Sequence, residues 1–288
     1  MKSAVPLVTP DVKARVQQFW DHKPCGVKNA TVVPGSVEFF RIVERHRYEE
    51  EFHIPEIAEF ADHGGHRVLE IGGGAGTDGR QFARRGARYV DADLSRASLE
   101  LARQGFRHER LAGAFLHADG EHLPFGTDAF DLVYSHGVLH HTPDTAGAIG
   151  QVWRVLKPGG KAIIMLYARD SFGYVAFHVV GRLRLEWTRF RLGRQKFNAL
   201  MGLPEGFRGW LPTPVIVNNS TDGIGNPLSQ VFTPAELREL FRQFREVTLA
   251  KRYFPRRKIP LVGPHLPPGL VQWLGRTMGS YWYVKAVK

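Results

Sequence analysis

Cysteine is nearly absent from this chain: Cys25 stands alone among 288 residues. That excludes an internal disulfide framework and is compatible with a reducing cytoplasm, the expected location. Long apolar runs are missing too. No stretch of about 18 uncharged apolar residues occurs, so no membrane-spanning helix is expected. The opening Met1-Lys2-Ser3-Ala4-Val5-Pro6 lacks the apolar core of a secretory leader. Internal repeats and low-complexity runs are absent. No cysteine cluster accompanies the adjacent His140 and His141, which point apart on any regular element, so no metal is expected. Acidic residues are scarce in one part only. Residues 1–170 hold 22 Asp+Glu against 21 Lys+Arg, whereas residues 171–288 hold 6 against 18. The second part carries the charge, which implies either a plain basic surface or an anionic partner: an acidic substrate, a membrane surface or nucleic acid.

What is present suits one large α/β domain or one domain with sizeable insertions. Thr9-Pro10-Asp11 reads as a helix start, with the helix running to about Trp20 and broken by Asp21-His22-Lys23-Pro24-Cys25-Gly26. Ser36 through Ala61 is helical in pattern, with a restart near Pro55. From Val68 the rhythm alternates. Strands are predicted at 67–71, 88–92, 113–117, 130–135 and 161–167, with helices near 77–85, 95–104 and 144–156. This argues a doubly wound, mostly parallel sheet. Residues 171–215 read as a mostly helical insertion. Thr233-Pro234-Ala235-Glu236 is a capping box that opens a helix to about Phe244. Two late strands, near 245–253 and 280–287, bring the sheet to seven.

The segment Val68-Leu69-Glu70-Ile71-Gly72-Gly73-Gly74-Ala75-Gly76-Thr77-Asp78 runs from strand through a glycine turn into a helix. Gly72, Gly74 and Gly76 let the backbone turn sharply and approach a ligand. Glu70 would repel a dinucleotide pyrophosphate but suits a ligand with a cationic end. That favours S-adenosylmethionine (SAM), with its ammonium and sulfonium, over NAD. Ligands of open α/β sheets bind at the C-terminal strand ends, and three further clues fall there. Asp93, followed by Leu94, can accept both ribose hydroxyls. Asp119, followed by Gly120, can accept the adenine amine. Tyr134-Ser135-His136-Gly137-Val138-Leu139-His140-His141 leaves strand four toward the reaction side.

Together these residues resemble class I SAM-dependent methyltransferases, closest to the small-molecule branch that includes the ubiquinone and menaquinone methyltransferases. The resemblance covers about residues 66–167. It rests on Glu70 with the Gly72, Gly74 and Gly76 pattern, on Asp93, on Asp119, on Phe130-Asp131-Leu132-Val133, and on Leu156-Lys157-Pro158-Gly159-Gly160, in that order. It implies a seven-stranded Rossmann-like fold, SAM as cofactor and S-adenosylhomocysteine (SAH) as product. It also implies a cofactor site of Glu70, Gly72, Gly74, Gly76, Asp93, Leu94, Asp119, Gly120 and Ser135. Asp91 sits where the family often has a small residue, which leaves two aspartates for the ribose. The implied organisation is an N-terminal helical cap (1–65), a SAM-binding core (66–170), a helical acceptor cap (171–228) and a C-terminal part that completes the sheet (229–288).

Methyl transfer from a sulfonium is an in-line displacement that proximity and orientation largely supply. A base is needed only when the nucleophile arrives protonated. By resemblance His141 is the first candidate for it and His136 the second, with Tyr167 at the end of strand five to orient the acceptor. The first helix and Phe19-Trp20-Asp21-His22-Lys23-Pro24-Cys25 are expected to form a lid over the cofactor. Cys25 has no evident activating neighbour except His22 and Lys23. The polar run Asn218 to Pro227 is read as a loop able to hydrogen-bond the acceptor. Phe172, Val175, Ala176, Val179, Leu183, Trp187 and Phe190 recur at helical spacing beside Arg182, Arg184, Arg189, Arg191 and Arg194. Such a helix suits a greasy or anionic acceptor, a peripheral membrane contact through 172–194, an active-site lid or a homodimer interface. The reading that follows is a methyltransferase acting on O, N or C of a small molecule. The alternatives are an RNA or protein methyltransferase docking through the basic part, and a SAM-binding protein without catalysis. Ser135-His136-Gly137-Val138 stands where base N-methyltransferases often carry Asn/Asp-Pro-Pro-Tyr, so a nucleic-acid partner is not expected.

Overall fold

In the computed structural model the apolar run before the glycine turn becomes an inner strand of a seven-stranded sheet. The structure describes residues 12–24, 27, 31–201, 203–259 and 261–288. Thr9-Pro10-Asp11 and Cys25 lie outside these residues. The strands are β1 (Arg67–Ile71), β2 (Arg88–Asp93), β3 (Ala114–His117), β4 (Phe130–His136), β5 (Leu156–Tyr167), β6 (Glu246–Arg252) and β7 (Tyr281–Val287), in the order β3-β2-β1-β4-β5-β7-β6. The first five are parallel, and β7 runs antiparallel to both β5 and β6. The strand order reverses between β1 and β4. This is the switch point at which open α/β sheets form a ligand crevice.

Period-two alternation along the inner strands feeds two cores. Val68, Leu132, Ile163 and Tyr283 face one side, where Ile54, Phe60, Phe82 and Phe106 cover them. Leu69, Val133, Ile164 and Val284 face the other, under Ile149, Val152, Leu237 and Phe241. Burial on both faces is what a parallel sheet requires of its strands.

The flanking helices are α1 (Val12–His22), α2 (Val37–Glu50), α3 (Ile54–Ala58), α4 (Thr77–Arg84), α5 (Arg96–His108) and α6 (Thr145–Val155). After β5, α7 (Phe172–Ala176) passes through a π-helical turn, Phe177–Gly181, into α8 (Arg182–Leu192), followed by α9 (Arg194–Leu200), α10 (Thr213–Thr221), α11 (Pro234–Leu240) and α12 (Pro268–Met278). Side chains satisfy the first-turn amides of four of them. Ser36, Ser95 and Asp144 each accept from the amide three residues on, and Thr233 and Glu236 form the reciprocal capping box.

Four segments differ from their sequence reading. Residues 156–160, read as a helix end and turn, open β5, because Gly159 and Gly160 pair with the backbone of Lys288. Residues 218–221, read as loop, finish α10, and only the turn from Asp222 onward is irregular. The helix opened by Thr233 ends at Leu240 rather than near Phe244. The Pro267-Pro268-Gly269 run, which carried no prediction, starts α12, with Pro268 in the first turn where its missing N–H costs nothing.

Candidate active site

The glycine turn closes over the C-terminal end of β1 because side chains are excluded there. A Cβ on Gly72, where φ is +77°, would lie 2.4 Å from the Val138 side chain, and one on Gly76 would lie 3.0 Å from Ala102. The backbone of Gly74 donates to Asp93 Oδ2 at 3.1 Å, and Ser95 N donates to Oδ1 at 2.7 Å, so the loop and the end of β2 are tied through one carboxylate. Asp91 is buried one step deeper and accepts from Gly73 N at 3.1 Å. Of the two aspartates, only Asp93 lines the cavity above the switch point.

That cavity encloses about 1200 Å³ of empty space, part of it open to solvent. One end is walled by Gly72, Gly74, Asp93, Leu94, Asp119 and Gly120, and α1 lies over it through Lys13, Val16, Gln17 and Trp20. Lys13 Nζ donates to Asp119 Oδ2 at 2.6 Å and also to Glu121. Burial alone would raise Asp119, but Lys13 and the Glu121 amide hold it below the usual carboxylate range. Asp119, Glu121 and His122 bring three donor atoms within 4.8 Å of one another. The ammonium of Lys13 already answers the charge of the two carboxylates.

Beneath the loop lies a buried charge network. The Arg47 guanidinium clasps Asp78 through Nε at 2.8 Å and NH2 at 2.5 Å, and its third nitrogen reaches Glu51 at 3.2 Å. Tyr48 and Tyr134 donate to the same Asp78 carboxylate at 2.9 Å each. Burial works against the Asp78 charge, yet the guanidinium offsets it and holds the group at about 2. Arg47 and Glu51 line the cavity.

Glu70 is placed otherwise than its sequence reading supposes. It does not line the cavity. It accepts the Tyr89 hydroxyl at 2.5 Å inside the sheet. Burial, and then the negative charge of Asp78, pushes it up to about 8. A carboxyl in that setting holds its proton far more tightly than an exposed glutamate. Gly76 and Ser135 also stand outside the cavity lining. Gly76 packs the start of α4 against α5, and Ser135 donates to the Ile71 carbonyl at 2.9 Å, which locks β4 to β1.

The other end of the cavity is walled by His136, His141, Met165, Tyr167, Asp222 and Tyr281. His141 Nδ1 lies 2.6 Å from the Leu228 carbonyl, an acceptor only, so that nitrogen carries a proton. Nε2, buried and without a hydrogen-bond partner, lies 3.4 Å from Asp222 Oδ2. Tyr167 donates to Asp222 Oδ1 at 2.9 Å. Residues 228–232 return beside this group, with Gln230 N donating to the His140 carbonyl and Phe232 N to that of Tyr167. Trp20 from α1 packs edge-on against His141 at 5.2 Å. His136 Nε2 lies 2.7 Å from the Tyr283 hydroxyl, and His53 Nε2 lies 2.9 Å from it on the other side. Burial, and then the Arg47 charge, pushes His136 well below the usual imidazole range.

The structure thus gathers nine of the twelve sequence candidates around one cavity: Gly72, Gly74, Asp93, Leu94, Asp119, Gly120, His136, His141 and Tyr167. Sequence reasoning singled out neither Arg47, Glu51 and Lys13 nor, individually, Asp222. Arg47 and Lys13 lie on amphipathic helices whose polar face reads as solvated. Asp222 was one polar residue among many in its segment.

The residues fit SAM. A buried carboxylate with free acceptor capacity, Asp93, faces the cavity beside backbone that no side chain obstructs, and Asp119 stands at the end of the neighbouring strand. The methyltransferase-domain family matches residues 69–164. The methyltransferase GfsG of Streptomyces halstedii is 38% identical over 120 residues, which cover 40% of this chain and 43% of that protein. The ubiquinone/menaquinone biosynthesis C-methyltransferase UbiE of Haemophilus ducreyi is 32% identical over 113 residues, 38% of this chain and 44% of that one. The chain thus spans less than half the length of these relatives. Among solved structures, the magnesium protoporphyrin IX methyltransferase ChlM of Synechocystis PCC 6803, with SAH bound, superposes with a TM-score of 0.55 at 14% identity, covering 96% of this chain and 100% of that one. The cyclase SpnF gives 0.55 at 18% identity, covering 100% and 99%. These likenesses show that the Rossmann-like fold extends beyond the matched domain.

Proposed function

We propose that the chain is a SAM-dependent methyltransferase acting on an O, N or C nucleophile of a small molecule. One observation carries this reading. A single cavity runs from the glycine turn, Asp93 and Asp119 to the His141–Asp222–Tyr167 group. SAM supplies an electrophilic methyl when bound, and the chain's own residues do the rest. Asp93 accepts the ribose hydroxyls, the Asp119–Gly120 end takes the adenine, and Arg47 and Glu51 stand where a zwitterionic amino-acid tail needs partners of both signs. His141 Nε2 takes the proton of a hydroxyl or amine nucleophile. Asp222 and the Leu228 carbonyl then stabilise the imidazolium. Tyr167 fixes the Asp222 rotamer. His136, depressed and facing Tyr283, is the weaker base and serves to shape the wall. The first helix and the 171–228 segment close the cavity over an acceptor. The decisive assay is transfer of labelled methyl from SAM to small molecules, which Asp93→Ala and His141→Ala should impair in different ways: the first through SAM affinity, the second through turnover.

A membrane contact is favoured by a separate observation. The apolar face read in 172–190 is exposed, with Leu183 at 67%, Trp187 at 58% and Phe190 at 86%. The opposite side of α8 packs Leu185 on Phe197, Leu203, Leu211 and Ile216. Arg184, Arg191 and Arg194 are exposed alongside. Apolar side chains flanked by cations describe an interfacial helix on an anionic bilayer. Co-sedimentation with vesicles containing phosphatidylserine, lost in Trp187→Ser/Phe190→Ser, is the expected result. A dimer that these two changes dissociate would replace it. Among the described residues no helix is long and apolar enough to cross a membrane.

A further inference from the structure

A second cavity adjoins the reaction end of the first. It holds about 560 Å³ of empty space, part of it open to solvent, and Tyr167 and Tyr281 are the two side chains that line both. The partition is a stack. The rings of Tyr167 and Tyr281 lie 5.8 Å apart at 27°, and Tyr253 lies 4.5 Å beyond Tyr281 at 11°. Tyr253 holds φ at +67°, a left-handed conformation that a tyrosine adopts only where its surroundings fix it. The far walls come from the segment after β5: Tyr174 on α7, His178 in the π-helical turn, Ile216 and Val217 on α10, and Val231 in the return segment. Extra-turn insertions of this kind recur at functional sites.

The chemistry of the wall is narrow. No Asp, Glu, Lys or Arg lines the second cavity among the described residues. Ser171 is already engaged, donating to the Ala168 carbonyl and accepting from Tyr174 N. His178 has one ring nitrogen 3.2 Å from the Tyr174 carbonyl. Ser280 differs: its hydroxyl is buried with no hydrogen-bond partner. A buried hydroxyl without a partner is costly, and it leaves the chamber wall without a strong polar anchor, as its aromatic and aliphatic lining does elsewhere.

Resting on the methyltransferase reading above, we propose that this chamber is a specificity subsite. It binds the uncharged, apolar or aromatic portion of the acceptor while the nucleophile sits at His141 and Asp222 on the other side of the tyrosine stack. The class of acceptor is therefore bipartite. Its polar reacting end faces the first cavity, and an uncharged hydrophobic end faces the second. Charged tails are excluded, because nothing in the chamber would pair them.

Calorimetry in saturating SAH tests this with phenol, 4-heptylphenol and 4-(carboxyheptyl)phenol as probes. The wild type should bind 4-heptylphenol at least 30-fold more tightly than phenol, and the carboxylated probe no better than phenol. Val231→Phe and, separately, Val217→Trp fill the chamber. Each should weaken 4-heptylphenol binding at least tenfold while SAH affinity stays within twofold, which also shows that the variants fold. The proposal is overturned if the heptyl advantage is absent from the wild type, or survives both substitutions with SAH binding intact. Failure of the wild type to bind SAH at all would instead remove the methyltransferase reading on which it rests.

Discussion

The glycine-turn end and the His141 end of the cavity are built in different ways. The first is made of strand ends and one glycine turn within residues 71–120, held by backbone-to-carboxylate bonds such as Gly74 to Asp93 and Ser95 to Asp93. The second is assembled from β4, β5, β7 and the segment after α10, and its central carboxylate, Asp222, meets Tyr167 across 55 residues of sequence. The first also rests on close-packed elements, whereas the second adjoins helices that leave Leu183, Trp187 and Phe190 in solvent. A rigid frame suits a ligand that is the same at every turnover. A site hung on an insertion suits an acceptor that sets specificity.

The comparison breaks if the two ends do not separate functionally. The largest expected effect is at the His141 end: His141→Ala should lower turnover about a hundredfold with SAM affinity within twofold. Equal loss of both, read from single-turnover rates and calorimetry, would make His141 part of the frame. Next in size is Glu70→Gln. Glu70 is held at about 8 in the folded chain against an ordinary 4.5, so folding retains a proton that the unfolded chain releases between those values. Its contribution is fully present below pH 4.5 and is lost as pH rises through 8. The glutamine variant should therefore be more stable than the wild type by about 3 kcal/mol at pH 7, and by almost nothing at pH 4. SAM affinity should be unchanged. A loss of SAM binding in this variant would restore Glu70 to the cofactor site. Asp93→Ala should weaken SAM at least tenfold, about 1.4 kcal/mol, and an unchanged calorimetric Kd would contradict the ribose assignment. The smallest effect sharpens the lid: Lys13→Ala frees Asp119 and Glu121 and should raise the SAM off-rate about threefold, measured by stopped-flow fluorescence of Trp20 and its neighbours.

Much of the fold was legible because its signals are local. Alternation in Val68-Leu69-Glu70-Ile71, the glycine turn and the Thr233 capping box each specify a conformation within a few residues. The strand ends then carry Asp93, Asp119 and His136 to one crevice by topology alone. Glu70 lies off the cavity wall, and its spacing from the glycines says nothing of which way the side chain turns. Tyr89, on the paired strand, decides that. Arg47 was missed because its partner Asp78 lies 31 residues away, and an arginine on an amphipathic helix looks like any other solvated cation. Asp222 was hidden by its neighbours, since a run of asparagines, serine and threonine reads as loop until α10 is seen to end at Thr221.

The most direct measurement gives the pure protein methyl-labelled SAM and a lysate of its source cells, then follows the label into organic-extractable, water-soluble small-molecule, protein and nucleic-acid fractions. The account predicts label in the organic-extractable small-molecule fraction, abolished by His141→Ala. Label in protein or nucleic acid would contradict it and turn the basic second half of the chain into a docking surface for macromolecules.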